Sequence, residues 1–239
     1  MKLFRKAILV IHGFTGVLSD NEFLVNTLET HFSFDVYAWT LPAHEKYRIR
    51  KVKSEEWIEA VEHQVEFLIQ KGYRSIYVIG HSMGGVLTSY LATKYPQIKK
   101  IVLLSPAYDY FSAEQYIEDF KDWKHAKDET SYPKAFVKAF LVPFTTLLEF
   151  RKTVEFGKPF LDEVTQEALV LHGDKDEVVP YSTLSYVKEH IGSKNVTFTT
   201  VVDGRHVMVR GKRQDDVISY IECFLIGGRK WKRMKKSRI

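Results

Sequence analysis

A chain of 239 residues with 45% hydrophobic and 27% charged residues can bury one full core and has the composition of a soluble globular protein. This argues against a disordered chain, and no apolar run approaches the length of a membrane span. The formal charge of +5 misleads as an average, because residues 229–239 carry seven Lys and Arg and leave the rest of the chain mildly acidic.

The chain opens with MKLFRKAILVIHGF, in which Ala7 to Ile11 is the only sustained apolar run. That run is too short for the hydrophobic region of a signal peptide and lacks a small-residue cleavage site, so it reads as a strand. Cys223 is the only cysteine, which rules out an intramolecular disulfide and fits an expected cytoplasmic location.

Further apolar runs rich in β-branched or aromatic residues follow at Phe34 to Trp39, Ser75 to Ile79, Lys100 to Leu104, Glu167 to Leu171 and Asn195 to Val202. Most are continuous rather than alternating, as in strands covered on both faces. Helical patterns lie between them. One begins at Ser54, read as an N-cap with Glu55 and Glu56 in the first turn, and ends near Lys71-Gly72. Others run from Gly84 to Tyr95, from Ser182 to Ile191 and from Gln214 to Leu225. Strands alternating with helices predict an α/β fold with a mostly parallel sheet of about six strands, whose active groups sit on loops at the strands' carboxyl ends.

Residues 107–160 break this rhythm. They are aromatic, too long for an ordinary connection, and predict a small helical cap inserted into a core formed by 1–106 and 161–228. Phe111, Tyr116, Phe120, Trp123, Phe136, Phe140 and Phe144 are candidates to wall an apolar pocket, or simply to hold the cap down. The basic tail, 229–239, reads first as a solvated terminus. Weak contact with an anionic membrane, with Trp231 at the interface, is the alternative. Nucleic-acid binding is not expected.

After the third strand comes Gly80-His81-Ser82-Met83-Gly84, a G-x-S-x-G pattern between a predicted strand and a predicted helix. That context suits a serine pushed out of the backbone on a strained turn. An alcohol needs a general base, and the base an orienting acid. Asp174 and Asp176 follow the fifth strand and His206 the sixth, on the same edge of the sheet as Ser82. Asp109, after the fourth strand, is a weaker candidate for the acid.

With "HGFTG", "GHSMGG", "HGDKDEVVP" and "GRHV" in this order, the chain resembles the α/β-hydrolase superfamily from Ala7 to Leu225, most nearly its small bacterial carboxylesterases and monoacylglycerol-lipase-like members with a helical cap. The resemblance implies Ser82 as nucleophile, His206 as general base and acid, and Asp176 as the residue that orients His206. Asp174 remains the main rival through its position nearer the strand end. The resemblance also implies an oxyanion hole made by the backbone NH groups of Phe14 and Met83, with His12 and His172 packing or hydrogen-bonding beside the site; His81 reads as a structural histidine. It implies hydrolysis of short to medium acyl-chain esters through an acyl-enzyme, with monoacylglycerol lipase, thioesterase or acyltransferase as alternatives and a catalytically silent binding protein as the reading from another class. No cofactor and no metal are expected. Two departures stand out: the first two strands of the full family sheet are missing or reduced, and Leu41-Pro42-Ala43-His44-Glu45 replaces the G-H-G motif of many lipase-like relatives.

Overall fold

The computed structural model describes residues 6–16, 21–31, 34–44, 50–109, 142–228 and 231. Among the described residues six strands form a single sheet: β1 (Lys6–Ile11), β2 (Asp35–Ala38), β3 (Ser75–His81), β4 (Ile98–Leu104), β5 (Glu167–Gly173) and β6 (Val196–Val201), in the order β2-β1-β3-β4-β5-β6. Every pairing is parallel. Consequently all six carboxyl ends lie along one rim.

The continuous apolar runs have a direct cause. Side chains alternate across a strand, and both faces of this sheet are covered. Ala7, Leu9 and Ile11 of β1 belong to one buried cluster and Ile8 and Val10 to the other; β3, β4 and β5 divide in the same way.

The helices are α1 (Glu22–His31), α2 (Ser54–Gln70), α3 (Met83–Lys94), α4 (Phe144–Gly157), α5 (Phe160–Glu163), α6 (Ser182–His190) and α7 (Gln214–Ile226). Side chains of α1 and α7 build one cluster; those of α2 to α6 build the other. Residues 83–92 of α3 are all buried, which explains its apolar character all round. Lys100 of β4 donates to the Phe224 carbonyl in the last turn of α7 at 2.8 Å and pairs with Glu167 at 3.1 Å, placing a cation where a helix end favours one.

Some local expectations are corrected. Ser54 is not the cap of α2 but its first residue; Lys53 is the cap, and its NH is taken by Glu56 Oε1 at 2.9 Å. The Ser54 NH reaches Glu149 Oε2 of α4 at 3.1 Å instead. Helix α1 had no clear sequence signal. It buries only Leu24 and Leu28, too few apolar positions to stand out.

Most of the expected cap, including all its candidate pocket aromatics but Phe144, lies outside the described residues. Phe144 itself is 72% exposed. Within the described part, α4 packs on α2 and α3 through Thr146, Phe150, Thr153, Val154 and Gly157. Of the basic tail only Trp231 is described; it is buried edge-on against Tyr220 and Phe224 of α7. No helix among the described residues is long and apolar enough to cross a membrane.

Candidate active site

Ser82 sits between β3 and α3 with φ 55° and ψ −118°, a left-handed backbone that costs a non-glycine residue energy and recurs where a side chain is forced into a functional position. Its surroundings impose the turn. Leu104 O accepts the Ser82 NH at 2.9 Å, and the Ser82 carbonyl accepts from Gly85 at 2.9 Å and from Ala107 at 3.2 Å. Across the turn lies Gly13, where a Cβ would stand 2.7 Å from Ser82 Cβ. Only glycine lets the loop after β1 come this close.

The loops after β5 and β6 are stitched together. Asp174 NH donates to Val201 O at 3.1 Å and Lys175 NH to Gly204 O at 3.0 Å. Gly173 touches Gly204 so closely that a Cβ there would lie 2.1 Å from the Gly204 oxygen. This contact gives the Gly173-x-x-Asp176 spacing its physical reason. It sets the acid loop against the histidine loop and brings Asp176 to His206.

His206 Nδ1 lies 3.0 Å from both Asp176 oxygens. A carboxylate only accepts, so Nδ1 carries a proton, and in the neutral tautomer this leaves the lone pair on Nε2. Asp176 Oδ1 also accepts from the Val178 and Val179 NH groups, each at 2.9 Å. Burial alone would raise its pKa; the His206 charge and hydrogen bond, helped by His172 and the Ser105 hydroxyl, outweigh it and hold the carboxyl well below the ordinary range. The rival acids are placed elsewhere: Asp174 is exposed, and Asp109 accepts from Ser182 Oγ at 3.0 Å.

His81 joins the nucleophile's strand to the histidine loop. Its Nε2 donates to the His206 carbonyl at 2.9 Å, and the two rings lie 4.6 Å apart. Burial, and next the neighbouring His206, push His81 down to about 3, so it stays neutral and does not compete for protons. His172 likewise packs beside Asp176 and donates from Nε2 to Val179 O at 3.1 Å. His12 accepts the Leu41 NH on Nε2 at 2.9 Å, which leaves Nδ1–H to meet Gly13 O at 2.8 Å. Each serves as a structural tie.

Neither the Met83 NH, first in α3, nor the Phe14 NH has an acceptor among the described residues. The free NH groups of a helix's first turn favour negative charge. The Phe14 ring is stacked on Phe150 of α4 at 4.7 Å and meets Trp57 of α2 edge-on at 5.7 Å, so one flank is aromatic. Sequence reasoning looked for such a wall in the insertion at 107–160 but did not name Phe150, which has no motif around it. Among the described residues no His, Cys, Asp or Glu side chains are grouped to hold a metal ion.

The chain is 26% identical over 214 residues, 84% of its length and 82% of the relative's, to a thermostable monoacylglycerol lipase of Bacillus sp. strain H-257. It is 23% identical to a carboxylesterase of Bacillus subtilis strain 168, covering 91% of this chain and 92% of that one. Among solved structures it is similar to one described with LipS and LipT, two metagenome-derived lipolytic enzymes, with TM-score 0.75 at 18% identity over 93% of this chain and 94% of that one. The monoacylglycerol lipase of Paleococcus ferrophilus matches with TM-score 0.70, also at 18% identity, over 92% and 94%. Residues 6–148, more than half of the chain, match the model of the alpha/beta hydrolase fold, and with the rim geometry above this places the chain in the α/β-hydrolase family.

Proposed function

We propose that this α/β hydrolase is a serine carboxylesterase that cleaves short to medium acyl-chain carboxylic esters through an acyl-enzyme, with Ser82, His206 and Asp176 as its triad. The observation that carries this reading is the His206–Asp176 pair at 3.0 Å, held by the stitched loops beside the strained turn of Ser82. Ser82 Oγ attacks the ester carbonyl while His206 Nε2 takes its proton, and Asp176 stabilises the imidazolium without itself being protonated. The Met83 and Phe14 NH groups receive the tetrahedral oxyanion. Collapse of that intermediate expels the alcohol, which takes the proton from His206. Water, deprotonated by His206, then attacks the acyl-Ser82 ester; a second collapse releases the carboxylic acid and returns the proton to Ser82.

Two observations support the ester class. Named relatives are a lipase and a carboxylesterase, and the aromatic flank of Phe14 and Phe150 suits an apolar group. Monoacylglycerol lipase is the second reading, favoured by the 26% identity to the Bacillus enzyme. Kinetics on p-nitrophenyl esters of increasing length and on monoacylglycerols separate the two; preference for long-chain monoacylglycerols reverses the order. A fluorophosphonate probe is expected to label the wild type, and Ser82→Ala to abolish labelling and lower kcat by about 10⁴-fold or more. A well-folded wild type that takes up no label would point instead to a binding protein.

A further inference from the structure

We propose that His81 and Glu177 are positioning residues of this site: between them they clamp the main chain of His206, one at its carbonyl and one at its NH, and so fix where its imidazole points. The inference rests on the assignment of Ser82, Asp176 and His206 given above. Glu177 Oε2 accepts the His206 NH at 3.2 Å, and His81 Nε2 donates to the His206 carbonyl at 2.9 Å. With the peptide groups on both sides of the residue held, the ring keeps only its side-chain torsions. The Asp176 carboxylate, 3.0 Å from Nδ1, restrains those.

The two contacts come from different parts of the sheet. His81 is the last residue of β3 and directly precedes Ser82; its side chain joins that strand to the loop after β6, with β4 and β5 lying between them in the sheet. It is buried, and its ring lies 4.6 Å from that of His206, so the tie is packed as well as bonded. Glu177 belongs to the loop after β5, in which Lys175 NH already meets Gly204 O at 3.0 Å and Asp176 meets the ring. Three consecutive residues, 175–177, thus each touch the histidine loop. The base is tied by its backbone to the neighbour of the nucleophile and to the neighbour of the acid. Neither contact involves His206 Nε2, the atom that would take the serine's proton, so their effect on turnover is one of placement.

His81→Leu and Glu177→Ala remove the two ties, whereas His81→Gln keeps a donor and Glu177→Gln keeps an acceptor without the charge. With p-nitrophenyl butyrate, His81→Leu and Glu177→Ala are each expected to lose about tenfold in kcat with KM within about twofold of wild type, because a small misplacement of a reacting group is costly. The two glutamine variants are expected to stay within about threefold of the wild-type kcat, since the hydrogen bonds survive. Fluorophosphonate titration counts competent sites, so kcat is read per folded enzyme; if His81→Leu does not fold, Glu177→Ala, at a half-buried loop position, carries the test. Wild-type kcat per site in either truncated variant overturns the proposal, because ties that serve only the fold would lower the melting temperature alone. So does a glutamine variant that loses as much as its truncated counterpart, which would assign the effect to the imidazole or the charge itself. Hydrolysis retained by Ser82→Ala would remove the triad assignment and this proposal with it, and is distinguishable because that variant leaves both ties in place.

Discussion

Gly13 shows how narrow the tolerances at the candidate nucleophile are. A methyl group there would stand 2.7 Å from Ser82 Cβ and 3.3 Å from His81 Nδ1, so Gly13→Ala must push the loop after β1 away from the serine. That loop also carries the Phe14 NH, the oxyanion donor proposed above, and displacing such a donor by a fraction of an ångström is costly because orientation supplies much of the rate. Gly13→Ala is therefore expected to lower kcat by about a hundredfold while KM changes little; steady-state kinetics beside a thermal melt check it, and an active variant would mean that the loop is pliable. The meeting of Asp176 with His206 on the rim that also holds Ser82 was legible in the sequence, because each of the three follows a strand at a recognisable turn. The tie from His81 to the His206 carbonyl was not: it spans 125 residues and depends on the stitching of two other loops.

Among the elements, the strands were the most legible, since burial on both faces writes itself as unbroken apolar runs. Helix ends were less so: Ser54 looks like a cap, but Lys53 holds the place because Glu56 reaches its NH and Glu149 occupies that of Ser54. Helix α4 matters most for the site. Phe150 is 8% exposed and stacks on Phe14, while Gly157 lies so near α3 that a Cβ would come within 2.2 Å of Val86 Cγ1. Phe150→Ala is expected to cost about 3 kcal/mol by leaving a cavity. By opening that flank it should also raise kcat/KM for longer acyl chains relative to shorter ones. Urea unfolding and a p-nitrophenyl ester series measure the two effects, and an unchanged chain-length profile would remove Phe150 from the substrate wall.

For the whole molecule, buried His81 and His172 tie stability to acid. His81 falls from an ordinary 6.5 to about 3 on folding, and His172 is lowered as well, in both cases chiefly by burial. Between those values the unfolded chain binds a proton that folded His81 refuses, so stability falls as pH drops through this window, by at most about 1.4 kcal/mol per pH unit for that one group. Asp176 adds to the effect lower down: its carboxyl is held below its ordinary 3.8, so the stability it contributes is present above that value and is lost as pH falls further. Urea midpoints at pH 7 and pH 5 are expected to lie closer together for His81→Gln than for wild type, since glutamine can still donate to the His206 carbonyl but takes no proton. Equal spacing in the two proteins would show that His81 does not carry the acid sensitivity.

The order of the strands has a temporal consequence as well. Ser82 leaves the ribosome early, yet His206, its proposed base, is encoded more than a hundred residues later, beyond β6 at the edge of the sheet. Pairings this distant in sequence form late. A nascent chain thus carries the Ser82 hydroxyl before the proposed base has been made, and the proposed triad can be complete only once the last strand is in place.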